Sequence, residues 1–199
     1  MLREYPQEET EAMYYGNLYH EAAELYVRGD APLPKKFDFS KQLLDKLNAL
    51  EGDKLCEFKM GVTKDLKPCA FDAEDVWFRG ISDLSVTNEP KQKAHVFDYK
   101  TGKSAKYADP GQLELMTLAT FAHFPTINKV KAALLFVVSG EIVKAQYSRE
   151  DEATLWKKWL TKYAAFASAH KKNIWNPNPS GLCRKHCPVQ SCPHYGGGR

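Results

Sequence analysis

The 199-residue sequence lacks any apolar run near the roughly 20 residues that cross a bilayer, so no membrane span is expected. Its acidic opening, MLREYPQEETEAMYYG, lacks the apolar core of a secretory signal, and a cytoplasmic location is expected. No internal repeat is present, which excludes solenoid and propeller arrays, and low complexity is confined to the closing GGGR. Charge imbalance is small. A net charge of +3 neither demands nor excludes a polyanionic partner. Cysteine is sparse and odd in number, at five, and three of the five fall within the last 17 residues. In a cytosolic chain such clustering suggests a metal more than disulfides.

What is present is the composition of an ordinary globular chain, 43% hydrophobic and 27% charged, long enough for one domain with a well-buried core. TEAMYYGNLYHEAAELYVRG reads as a helix, with Met13, Leu18, Ala22, Leu25 and Tyr26 at helical spacing and Gly29 as its stop. SKQLLDKLNALEGD reads as a second helix, with Ser40 as N-cap and Gly52 as stop. KLCEFKMGV, VWFRGISDLSVT and AHVFDYKT read as strands. QLELMTLATFAHF is an apolar helix ended by Pro125. KVKAALLFVVSG and EIVKAQYSR form a hairpin across Ser139-Gly140. A long amphipathic helix follows, with Leu155, Trp159 and Phe166 on one side. This order predicts an α/β fold, a central mixed β-sheet flanked by helices. Residues 1–175 form the expected domain, and 176–199 a Pro-rich linker and cysteine/histidine tail packed on it.

Two of the predicted strands carry charge at their centres: Asp83 in GISDLSV, and Asp98 and Lys100 in HVFDYKTGK. Side chains alternate along a strand, so Ile81, Asp83 and Ser85 share a face, as do Val96, Asp98 and Lys100. Phe97 and Tyr99 then point to the opposite face, into the core. If the strands pair, Asp83 lies beside Asp98. Two buried carboxylates cost on the order of several kcal/mol unless something neutralises them. A hard divalent cation does so, and a neighbouring amine can then act on a metal-bound water or a phosphate. The competing reading is an exposed Asp98–Lys100 salt bridge with Asp83 solvated.

Other segments add candidates. His20 lies on the first helix, preceded by Gly16, and imidazole is a competent metal ligand. Glu24 is one turn on, placed either to support such a site or to face solvent. Gln112 opens the apolar helix after a lysine-rich loop, where it can orient a water or meet a phosphate. Lys103 and Lys106 lie close in sequence to the carboxylates. Lys157, Lys158, Lys162, Lys171 and Lys172 read as a solvated helix face.

Taken in order, Gly16-x-x-x-His20, Gly80-Ile-x-Asp83, Asp98-Tyr-Lys-Thr-Gly102 and Gln112-Leu113 resemble the PD-(D/E)xK nuclease superfamily over residues 12–165. The resemblance is to the RecB-like branch, which includes phage exonucleases and CRISPR-associated nucleases with a cysteine cluster. It implies a restriction-endonuclease-like core and DNA phosphodiester hydrolysis with Mg²⁺ or Mn²⁺. It also implies that His20, Asp83, Asp98 and the Tyr99 backbone carbonyl are metal ligands, Lys100 the catalytic lysine and Gln112 the accessory residue. A phage-type exonuclease acting in DNA recombination, repair or processing is expected, with DNA and a recombination or single-strand-binding protein as partners. A non-catalytic or RNA-directed protein on the same fold is the alternative. The branch often carries a tyrosine four residues after the Gln, and here that position is Met116. Tyr107, with Lys103 and Lys106, is the candidate DNA contact in its place.

In the tail, Cys183, Cys187, Cys192 and His194 have the spacing C-x3-C-x4-C-x-H, which suits a tetrahedral zinc site. In related nucleases with an iron–sulfur cluster a fourth cysteine lies far upstream, before or near the first helix. The earliest cysteine here is Cys56, and it and Cys69 read as ordinary buried residues. Structural zinc, an iron–sulfur cluster and free thiols all stay open.

Overall fold

Antiparallel hairpins in the middle of the chain build one six-stranded sheet. The strands are β1 (Asp53–Thr63), β2 (Pro68–Cys69), β3 (Val76–Asn88), β4 (Lys93–Lys100), β5 (Lys129–Phe136) and β6 (Glu141–Ser148). Their order is β2-β1-β3-β4-β5-β6. Every neighbouring pair is antiparallel except β4 and β5. A parallel pair cannot be closed by a tight turn, and α3 (Gly111–His123) provides the crossover. The computed structural model describes residues 9–185 and 187–196. They fall into two units: Ala12–Lys158, which holds the sheet, and a second made of Trp159 onward with the segment ending at Glu11.

Helices cover both faces of the sheet, as its alternating apolar residues require. On one face lie α1 (Glu11–Arg28), a 3-10 turn (Lys35–Ser40) and α2 (Lys41–Asn48). Tyr19, Ala23, Val27, Phe37 and Leu44 pack there against Leu84, Val86, Phe97, Tyr99 and Leu135. The buried stripe of α1 is thus Tyr19-Ala22-Ala23-Val27, while Met13 is exposed and Leu18, Leu25 and Tyr26 are half-buried. On the other face α3 packs against β1, β3, β5 and β6 and buries Leu113 and every residue from Met116 to Phe121.

Arg149 holds the end of α3. Its guanidinium donates to the carbonyls of Phe121 (3.0 Å), Phe124 (2.8 Å) and Ile127 (3.0 Å) and lies 4.4 Å from the centre of the Phe121 ring. Phe121 is in the last turn of α3, Phe124 is its C-cap and Ile127 lies in the connection to β5, so one side chain ties the helix end to that connection.

Three local expectations change. Ser40 takes the N-cap position of α2 as expected but makes no side-chain capping bond: it also ends the 3-10 turn, and its hydroxyl donates back to the Phe37 carbonyl at 2.9 Å. Gly52 does not stop α2, whose C-cap is Ala49. It sits at φ +132° entering β1, where a Cβ would meet the Thr87 carbonyl oxygen at 2.4 Å, so glycine is required by the β1–β3 contact. The amphipathic pattern of α4 (Glu152–Lys172) buries only Leu155 and Trp156, and Phe166 is 46% exposed. A short helix, α5 (Leu182–Lys185), follows in the second unit.

Candidate active site

The site forms where the sheet's ladder is interrupted. The β3–β4 pairing runs from Asn88↔Lys93 to Leu84↔Phe97 and stops at Asp83. The β1–β3 pairing passes from Cys56↔Leu84 to Phe58↔Ser82 without joining Glu57 to Asp83. Asp83 is therefore unpaired on both sides. Glu57 takes φ +48°, an uncommon conformation for a residue with a side chain. The regular pleat breaks at the same place: the hydroxyls of Ser82 and Ser85, three residues apart, come within 2.7 Å. A strict period of two would hold them on opposite faces.

The interruption leaves the Tyr99 N–H without a strand partner on this side. The Asp83 carboxylate accepts that N–H as a buried hydrogen bond. Its other oxygen lies 3.2 Å from His20 Nδ1 on α1. Gly16, one turn before His20, is 3.4 Å from Thr101 Oγ1 at its would-be Cβ, so it sets how closely α1 approaches the end of β4. One ligand atom each from His20, Glu57 and Asp83 lies within 4.8 Å of the others. Among the described residues this is the one such group of three histidine, cysteine or acidic side chains.

Asp98 faces the opposite side of β4 from Phe97 and Tyr99, as the alternation predicts. It is 7% exposed. Its Oδ1 accepts the Gln112 side-chain amide from the first turn of α3. Its Oδ2 forms an ion pair with Lys100 Nζ at 2.6 Å, so the amine and the buried carboxylate are held together.

The electrostatics agree. Burial, with the neighbouring Asp83 charge, raises the proton affinity of Asp98, and Lys100 and Gln112 partly offset this. Burial and Asp83 likewise raise that of Glu57. His20 is pushed up by its bond to Asp83, against the opposing effect of burial. Raised proton affinities on Asp98, Glu57 and His20 together mark a cluster rich in negative charge. Carboxylate oxygens with one imidazole form a donor set that fits a divalent ion.

The expected residues fall into two contacting sets, His20 with Asp83 and Asp98 with Lys100 and Gln112, and the charge of Asp83 acts on Asp98 across the gap between them. Tyr99 joins the first set through its N–H, and its phenol is raised well above the usual range by burial. Lys103, Lys106 and Tyr107 lie on the exposed loop between β4 and α3. Lys106 Nζ is 5.3 Å from the centre of the Tyr107 ring, which is 87% exposed. Met116 is buried and fills the space beside Gly80. Glu24 pairs with Arg28 at 2.7 Å and, with His20 and Glu57, lines an open cleft of about 550 Å³. Glu57 was not foreseen: inside an alternating strand it reads as a solvent-facing residue. Among the described residues no disulfide joins the cysteines, and Cys56 and Cys69, expected to be buried, are half-buried. The Gly196 N–H donates to the Cys183 carbonyl at 3.0 Å, closing a loop that contains Cys187, Cys192 and His194.

A mixed sheet covered by helices, with acids and a lysine at the break in its central strands, defines a restriction-endonuclease-like α/β fold. Residues 40–193 match the PD-(D/E)XK nuclease superfamily, and the chain belongs to it. No curated protein matches the chain. Among solved structures, the crystal structure of SSO0001 aligns with 96% of this chain and 90% of its own, at 17% identity and a TM-score of 0.40. No helix among the described residues is long and apolar enough to cross a membrane.

Proposed function

We propose that this protein is a Mg²⁺- or Mn²⁺-dependent deoxyribonuclease of the RecB-like branch. The observation that carries this reading is the group of His20, Glu57 and Asp83, whose ligand atoms lie within 4.8 Å of one another, in a fold that also pairs the buried Asp98 with Lys100. His20, Glu57, Asp83 and Asp98 hold the ion, with the Tyr99 carbonyl as a further donor. When bound, the ion acidifies a water and neutralises charge on the scissile phosphate. Lys100 stabilises the developing phosphorane charge and takes part in moving the proton of the attacking water. Gln112 fixes the Asp98 carboxylate, and Asp83 fixes the Tyr99 peptide. Lys103, Lys106 and Tyr107 grip the DNA beside the site. The activity is that of a phage-type exonuclease in the cytoplasm, working in DNA recombination, repair or processing with a single-strand-binding partner. Cys183, Cys187, Cys192 and His194 in the tail, residues 176–199, hold a structural zinc or, without His194, an iron–sulfur cluster.

Labelled linear and circular DNA, incubated with Mn²⁺, Mg²⁺ or EDTA, tests the reading. Metal-dependent loss of linear DNA, abolished in Asp98→Ala and Lys100→Ala, supports it. Wild-type rates in both variants would show that the site is misassigned. Cleavage of RNA alone would favour the RNA-directed alternative, and binding without cleavage the non-catalytic one. Elemental analysis and a visible absorption spectrum separate zinc, an iron–sulfur cluster and free thiols.

A further inference from the structure

All 25 acidic residues of the chain precede Ala153, whereas residues 153–199 carry eight lysines and arginines. The unit that begins at Trp159 is therefore a cationic segment; its described acidic residues are Glu9 and Glu11. Its aromatic side chains are displayed rather than buried. Along α4, Trp159, Tyr163, Phe166 and His170 recur at one helical stripe. The helix ends at Lys172, and Asn173, at φ +51°, turns the chain back. That turn lays Trp175 against Phe166 and His170, with ring centres 5.6 and 6.3 Å apart. The Trp175 indole N–H donates to the Asn173 side chain at 3.3 Å, which fixes the ring. Phe166 and Trp175 nevertheless remain 46% and 51% exposed. Lys162, exposed on the same side of α4 one turn before Phe166, holds its Nζ 4.4 Å from the centre of the Trp159 ring.

A fixed, exposed aromatic cluster with a lysine on its side of the helix matches the chemistry of single-stranded nucleic acid. Bases of a single strand offer free π-faces, and their phosphates pair with amines. A duplex keeps its bases stacked inside and offers no such face. We propose that Phe166, His170 and Trp175 form a stacking platform for single-stranded nucleic acid, with Lys162, on the same side of α4, holding a phosphate. The proposal deepens the nuclease reading and takes the class of ligand from it.

The test is fluorescence anisotropy of labelled oligothymidine and of a duplex of equal length, in EDTA so that no cleavage occurs. The wild type binds the single strand more tightly. Trp175→Ala with Phe166→Ala weakens single-strand binding roughly tenfold or more and leaves duplex binding unchanged, while Trp175→Phe with Phe166→Tyr retains it. Lys162→Gln lowers the salt slope by about 0.7. Equal single-strand affinity in the alanine variant and the wild type overturns the proposal. So does loss of self-association in that variant with oligonucleotide binding intact, because a second copy would then be what covers the face. Cleavage by the wild type in Mn²⁺, followed in parallel, separates the two ideas. Cleavage with unaltered binding in the alanine variant ends the platform alone, and platform-dependent binding without cleavage ends the nuclease reading alone.

Discussion

Glu57→Gln should make the metal-free protein more stable and the metal-bound protein less so. Glu57 and Asp83 offer oxygens within 4.8 Å of each other. At that separation and an effective dielectric of about 20, two ionised carboxylates repel by roughly 3 kcal/mol. Access of solvent to the half-buried Glu57 reduces this, leaving about 1 kcal/mol. The sign follows from the raised proton affinity of Glu57 in the folded state. The penalty is present above the unfolded value of about 4.3 and vanishes below it. In EDTA above pH 7, thermal melting by circular dichroism should therefore show Glu57→Gln about 2–4 °C above the wild type. Near pH 4 the two should coincide. Saturating Mn²⁺ should reverse the order: at one hundred times its dissociation constant an ion adds about 2.7 kcal/mol to the wild type, and less to a variant missing one ligand. A Glu57→Gln protein that melts lower in EDTA, or gains as much from Mn²⁺ as the wild type, would refute the reasoning.

Three further outcomes are expected. Mn²⁺ affinity measured by calorimetry should rise with pH, with proton release on binding, because His20 must lose its proton and Glu57 and Asp98 must ionise, against the raised values of all three. Gln112→Ala removes a hydrogen bond to a buried carboxylate, so the acidic limb of the pH–rate profile should move to higher pH and the rate at neutral pH should fall about tenfold. Arg149→Ala leaves the carbonyls at the end of α3 without their donors. It should cost about 2–4 kcal/mol in urea unfolding while leaving metal affinity unchanged.

The acidic hairpin was legible because strand alternation is strict: once Phe97 and Tyr99 are assigned to the core, Asp98 and Lys100 have nowhere to point but the other face. His20 and Gln112 were legible through the spacing of the segments that carry them. Glu57 was not, because its position depends on a missing rung and a positive φ, neither of which has a residue signature. Its neighbours Cys56 and Phe58 read as an ordinary alternating strand. Gly52 shows the reverse error: glycine after a helix is commonly a cap, and only the approach of Thr87 in the folded sheet reveals its use. In α4 the apolar periodicity was real, but periodicity reports a face and not what covers it. Leu155 and Trp156 are buried, while Phe166 further along the helix faces solvent.

The claim underlying all of this is that His20, Glu57, Asp83 and Asp98 converge on one dication beside Lys100. Anomalous diffraction at the manganese edge from crystals soaked in Mn²⁺ tests it most directly. The account predicts a peak bounded by those four side chains, absent in Asp83→Asn. A protein that cleaves DNA with Mn²⁺ yet shows its anomalous peak elsewhere, or none among these residues, would contradict it.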